Sequence, residues 1–137
     1  MAKILIVEDE KALNEAYELI LKKEGHQVET SFNGQEALDK CKKLQPDLIL
    51  LDLRMPKMDG VEFLKELQPA KRLPDVKIIV FSNYDSHEEI DSAFELGATR
   101  YILKAWSSPA ELVKVVNETL AGREQDADDD QEDTEEE

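Results

Sequence analysis

Leu48-Ile49-Leu50-Leu51-Asp52 is four apolar residues in a row ending on a carboxylate. A strand with that composition has no polar face, so both its sides must be covered, as in a parallel sheet packed between helices. Three other segments share the form. Ile4-Leu5-Ile6-Val7 ends on Glu8 and Asp9, Ile78-Ile79-Val80-Phe81 ends on Ser82, and Tyr101-Ile102-Leu103 ends on Lys104. Val28 and Thr30 mark a weaker, edge-like strand.

Between the strands the apolar period changes to that of a helix. Leu13, Ala16, Tyr17, Ile20 and Leu21 share one helix face, and Gly25 stops that helix. Asn33 caps a second helix through Ala37, Leu38, Cys41 and Leu44, which Pro46 ends. After Asp52, Arg54-Met55-Pro56-Lys57-Met58-Asp59-Gly60 reads as a loop, and Val61, Leu64 and Leu67 as a short third helix. Ser86-His87-Glu88-Glu89 is a capping box opening a helix with Ile90, Ala93 and Phe94, stopped by Gly97. Ser108-Pro109-Ala110-Glu111 is a second box, opening a helix with Leu112, Val115, Val116, Thr119 and Leu120 on one face. Five strands alternating with five helices predict an α/β fold with a doubly wound, five-stranded parallel sheet. Ligands of such sheets bind outside the carboxyl ends of the strands, where Glu8, Asp9 and Asp52 fall.

The chain has 137 residues and a formal net charge of -15, unevenly spread. Ten of the 32 Asp and Glu fall in residues 123–137 with one of the 17 Lys and Arg, leaving 22 acids against 16 bases elsewhere. The first 122 residues are expected to fold as one domain, and residues 123–137 to form a disordered acidic tail. A mildly acidic folded part has no electrostatic footprint for direct nucleic-acid binding. Four apolar residues after Met1-Ala2-Lys3 are too few for a signal-peptide core or a membrane span, so a cytoplasmic location is expected. The single cysteine, Cys41, falls on a helix's apolar face and reads as a buried thiol.

Three carboxylates gathered at one sheet edge repel one another, and a hard divalent cation relieves the repulsion. Mg2+ fits, since it takes one or two carboxylates, keeps several waters and uses phosphate oxygens of a substrate. Asp52, between metal and solvent, is placed to attack phosphorus and form an acyl phosphate. Lys104 would neutralise the transferring oxygens, and Ser82 would donate a hydrogen bond. Singly, each residue has a plainer role as a cap, a turn or a solvated charge. Their occurrence on successive strands is what gives the set weight.

With these residues in view, the chain from about residue 2 to 121 resembles a receiver domain of two-component response regulators. The resemblance rests on Ile4-Leu5-Ile6-Val7-Glu8-Asp9-Glu10, on Pro46-Asp47 through Asp52 to Gly60, on Ser82, on Glu95-Leu96-Gly97-Ala98, and on Tyr101-Ile102-Leu103-Lys104. The stretch from Asp52 to Gly60 is its most specific part. It implies a flavodoxin-like strand order, 2-1-3-4-5. It implies that Asp52 takes a phosphoryl group from a phosphohistidine on a sensor histidine kinase or histidine phosphotransfer protein. It implies Mg2+ held by Asp9 and Asp52 directly, by Glu8 through water and by the backbone carbonyl of Arg54. Ser82 and Lys104 would contact the phosphoryl group, and Tyr101 would turn inward as Ser82 moves. The face formed by the fourth helix, fifth strand and fifth helix would then meet a downstream protein. Such a domain is a signalling receiver that slowly dephosphorylates itself, not a dedicated enzyme.

The chain departs from the family pattern in three places. Ala105 replaces the usual proline after the lysine, which predicts a trans Lys104–Ala105 bond, because a cis bond without proline costs about 3–4 kcal/mol. Trp106 follows as a fluorophore near the site. Asn83 stands after Ser82 where Ala or Gly is common, narrowing access to the phosphoryl group. No output domain is recognisable after Leu120, so the chain is expected to act as a stand-alone receiver, through contacts, or as a fragment of something larger. The competing function is a pseudo-receiver, a protein-binding module not switched by phosphate. A flavin or nucleotide binder is disfavoured, because Glu8-Asp9-Glu10 after the first strand would repel a phosphate. A hydrolase is disfavoured because His26 and His87 lie away from the cluster.

Overall fold

The computed structural model describes residues 2–83, 86–104 and 108–122. The Lys104–Ala105 bond, Trp106 and the acidic tail lie outside the described residues. Five parallel strands, β1 (Lys3–Val7), β2 (Gln27–Ser31), β3 (Leu48–Leu51), β4 (Lys77–Ser82) and β5 (Arg100–Leu103), form one sheet in the order β2-β1-β3-β4-β5. Between and after them come α1 (Lys11–Lys23), α2 (Gly34–Leu44), α3 (Gly60–Leu67), α4 (His87–Glu95) and α5 (Pro109–Leu120). The expected doubly wound sheet, its flavodoxin-like order and its five helices are all present. A single helical turn at Pro69–Arg72 follows α3 and has no counterpart in the sequence expectations.

The two faces of the sheet build two cores. Leu5, Val7, Ile49, Leu51, Ile78 and Val80 pack with Ala37, Cys41, Phe63 and Leu64 from α2 and α3 and Ala93 from α4. Ile4, Ile6, Leu48, Leu50, Ile79 and Phe81 face Leu21 from α1 and Leu112, Val115 and Val116 from α5. Alternate residues of the central strands thus enter opposite cores, which is why those strands are apolar throughout.

The helix boundaries follow local chemistry. Asn33 accepts from the Glu36 N–H, and Ser86 with Glu89 completes the reciprocal box expected there. Ser108 accepts from the Glu111 N–H, with Pro109 at the first helical position. A second reciprocal box, Asp59 with Glu62, opens α3. Two expected core assignments are corrected. Phe94 is 43% exposed, because Ala93 carries the buried face of the nine-residue α4. Ala16 is exposed, and on α1 the buried positions are Asn14 and Leu21. No helix among the described residues is long and apolar enough to cross a membrane.

Candidate functional site

Register decides which side chains meet. Val7 pairs with Leu51, so Glu8 and Asp52 leave neighbouring strands side by side. Ser82 pairs with Leu103, so the last residue of β4 lies beside the residue preceding Lys104. The backbone carries the pairing past the strand ends, with Asp52 N–H donating to the Val7 carbonyl at 3.0 Å and Glu8 N–H to the Ser31 carbonyl at 3.1 Å.

The result is a compact polar cluster. Ligand oxygens of Glu8, Asp9 and Asp52 lie within 4.8 Å of one another. Glu8 and Asp52 are buried, at 3% and 7% exposure, while Asp9 is exposed. The Ser82 hydroxyl donates to Asp52 Oδ1 at 2.7 Å, and the Arg54 backbone N–H donates to the same oxygen at 3.1 Å. Lys104 Nζ lies 3.2 Å from Asp52 Oδ2 and pairs with Glu8 Oε1. Glu8 Oε2 accepts from the Glu10 N–H at 3.0 Å. The structure therefore brings Glu8, Asp9, Asp52, Ser82 and Lys104 together, as the sequence predicted. Tyr101 is half-buried and packed against the core shared with α2 and α3.

Burial pushes the Glu8 carboxyl above its usual range, against the lowering pull of Lys104 and of the Glu10 N–H. Burial alone would depress the Lys104 ammonium. The hydrogen bond to Glu8 and the charge of Asp52 more than reverse this, so its pKa stands above the ordinary lysine value. Lys104 is thus a cation at neutral pH, held on two buried carboxylates. The donor set is all oxygen and partly solvated at Asp9, which suits a hard divalent cation such as Mg2+.

Residues 4–117 match the model of the response regulator receiver domain. The chain belongs to this family. It is therefore a receiver domain of two-component signalling, with an acidic pocket at Glu8, Asp9 and Asp52. The receiver is 38% identical over 124 residues to the transcriptional regulatory protein LnrK of Bacillus subtilis (strain 168), covering 89% of this chain and 55% of that one. It thus spans about half the length of that relative. The CheY-like receiver domain protein of Methanospirillum hungatei JF-1 superposes with a TM-score of 0.82 at 31% identity, covering 92% of this chain and 98% of the other. The chemotaxis protein CheY4 of Vibrio cholerae does so with 0.78 at 32% identity, covering 85% and 97%.

Three contributors to the receiver's site escaped sequence reasoning. Asn14 Nδ2 donates to the carbonyls of Glu8 and Ser31, both at 3.0 Å, fixing the turn that carries the acidic pair. The Asp59–Glu62 box sets the start of α3, and its Asp-x-x-Glu spacing was a usable signal. The Arg54 side chain reaches Glu89 on α4 at 2.9 Å, a pairing that sequence separation hides. Beside Lys104 and Asn83 an open groove of about 370 Å³ runs between α1 and α5, walled by Leu13, Tyr17, Ile20, Phe81 and Leu112.

Proposed function

We propose that this receiver is a phosphoacceptor and that Asp52 is the acceptor residue. The observation that carries the proposal is the Asp52 carboxylate itself. One oxygen takes the Ser82 hydroxyl and the Arg54 N–H, the other faces Lys104 Nζ, and Glu8 and Asp9 stand beside it. That environment orients a nucleophile and surrounds it with donors for an incoming phosphoryl group.

In the transfer, an Asp52 oxygen bonds to phosphorus as the phosphorus–nitrogen bond to a phosphohistidine of a sensor kinase or phosphotransfer protein breaks. The donor's imidazole leaves and takes its proton from water. Lys104 gives up its contact with Asp52 and meets a phosphoryl oxygen, and Ser82 donates to another. Mg2+, when bound by Asp9, Asp52, Glu8 through water and the Arg54 carbonyl, supplies further neutralisation of charge on the transferring oxygens. The apolar groove between α1 and α5 offers a donor protein a surface beside the acceptor. Residues 1–122 form the receiver unit and residues 123–137 an acidic appendage. The surface of α4, β5 and α5 is the output face, with Tyr101 as the aromatic that follows Ser82, and water slowly hydrolyses the acyl phosphate.

Acetyl phosphate with Mg2+ tests the proposal, read by intact mass. One phosphoryl adduct on the wild type, absent without Mg2+ and absent in Asp52→Asn, is the expected result. No adduct on the wild type, or an undiminished adduct in Asp52→Asn, removes Asp52 from the role and leaves a protein-binding module not switched by phosphate.

A further inference from the structure

Arg54 is charged, adjacent to the acceptor and unused by the chemistry above except through its backbone. Its N–H sits on Asp52 Oδ1, yet its guanidinium points away, to Glu89 Oε1 at 2.9 Å. That same Glu89 oxygen also accepts from the Ser86 N–H at 3.0 Å in the box that caps α4. One carboxylate oxygen therefore joins two structures, the loop that follows Asp52 and the first turn of α4. The Ser86 N–H, with help from Arg54, holds the Glu89 carboxyl below its ordinary range. The pair is solvated, with side chains 57% and 31% exposed, so it is weak and easily exchanged.

We infer that Arg54 is a phosphoryl-binding side chain that changes partners, leaving Glu89 for the phosphoryl group on Asp52 and thereby untying the β3–α3 loop from α4. The inference rests on Asp52 being the acceptor. A phosphoryl group carries close to two negative charges and three acceptor oxygens, whereas Glu89 offers one charge already shared with a helix cap. Guanidinium binds phosphate through paired donors, a geometry that one carboxylate oxygen shared with the Ser86 N–H does not match. Arg54 lies two residues from Asp52, within side-chain reach of any group attached there. The exchange gives the phosphorylated state a direct mechanical consequence at α4, the helix that exposes Phe94 to solvent.

The test measures affinity for beryllofluoride, a phosphoryl mimic, at saturating Mg2+, by fluorine NMR of the bound species. Glu89→Gln keeps a side chain that serves in a capping box and removes the charge that competes for Arg54. It is expected to bind about two- to five-fold more tightly than wild type, the range set by a solvated ion pair. Arg54→Ala is expected to bind more weakly. Added to the Arg54→Ala variant, Glu89→Gln is expected to change nothing, because the competitor matters only while Arg54 is present. Equal tightening with and without Arg54 would show that Glu89 acts by its charge alone and overturns the exchange, as does an unchanged affinity in Glu89→Gln. A wild type that binds no beryllofluoride overturns the acceptor role of Asp52 and the exchange together.

Discussion

Lys104 is the residue on which the site's electrostatics turn. Its ammonium compensates two buried carboxylates, Glu8 and Asp52, so it is both a structural ion-pair partner and an obstacle to any cation drawn to the same oxygens. Lys104→Met should separate the two effects. Without the ammonium, Glu8 and Asp52 lose their compensating charge in a desolvated setting, and stability without metal should fall by about 3 kcal/mol. Mg2+ no longer competes with a cation, so its affinity should rise on the order of tenfold. Thermal unfolding against Mg2+ concentration reads both, with a lower starting Tm and a steeper gain in the variant. A variant that binds Mg2+ no better than wild type would mean that the ammonium does not share its oxygens with the metal. The side chains of the polar cluster were legible in sequence because they follow the ends of apolar runs. Asn14 was not, since a polar residue among apolar ones reads as solvated, and only the fold shows its amide bridging two carbonyls.

The loop and helix after Asp52 hold its carboxylate in place, and they depend on a close backbone approach at Gly60. The Gly60 N–H donates to the Leu53 carbonyl at 2.9 Å. A Cβ at Gly60 would stand 2.7 Å from Leu53 Cα and 2.8 Å from the Asp52 carbonyl oxygen. Those are backbone atoms, so no rotamer change relieves the clash, and the start of α3 must move. Gly60→Ala should cost about 2 kcal/mol in urea unfolding and weaken beryllofluoride binding. A stability within about 0.5 kcal/mol of wild type would show that the loop yields without cost. At this scale the strands were easiest to read, because continuous apolar runs have few alternatives, and the capped helices came next. The turn at Pro69–Arg72 is too short to show a period. Phe94 carried the right spacing from Ile90 and still faces solvent, because a helix as short as α4 buries a narrow stripe centred on Ala93. The apolar run Tyr101-Ile102-Leu103 does not reveal that the fifth strand begins at Arg100, which is buried and meets Glu118 of α5 at 3.4 Å.

Across the whole molecule, each of the two cores packs against a weak acid whose ionisation burial opposes. Cys41 lies in the core under α2, and burial pushes its thiol up to about 12. Tyr17 meets Phe81 edge-on at 5.3 Å against the other core, and burial pushes its phenol up to about 12 as well. Both folded values lie above the ordinary 9.0 and 10.0, so the unfolded chain releases these protons first as pH rises. Proton release from the unfolded state alone favours unfolding. Their contribution is therefore fully present below about pH 9 and is lost progressively toward pH 12. For Cys41 the loss between pH 8 and pH 10 is at most about 1.4 kcal/mol, because pH 10 lies one pH unit above the ordinary thiol value. Chemical denaturation at those two pH values should show wild type weakening more than Cys41→Ala. The variant begins less stable, because a core atom is missing, but has a flatter pH dependence. Identical losses in the two proteins would mean that the Cys41 thiol ionises in the folded state near its ordinary value. Such a thiol would also react with alkylating agents at neutral pH, whereas the buried one should stay inert until the fold opens.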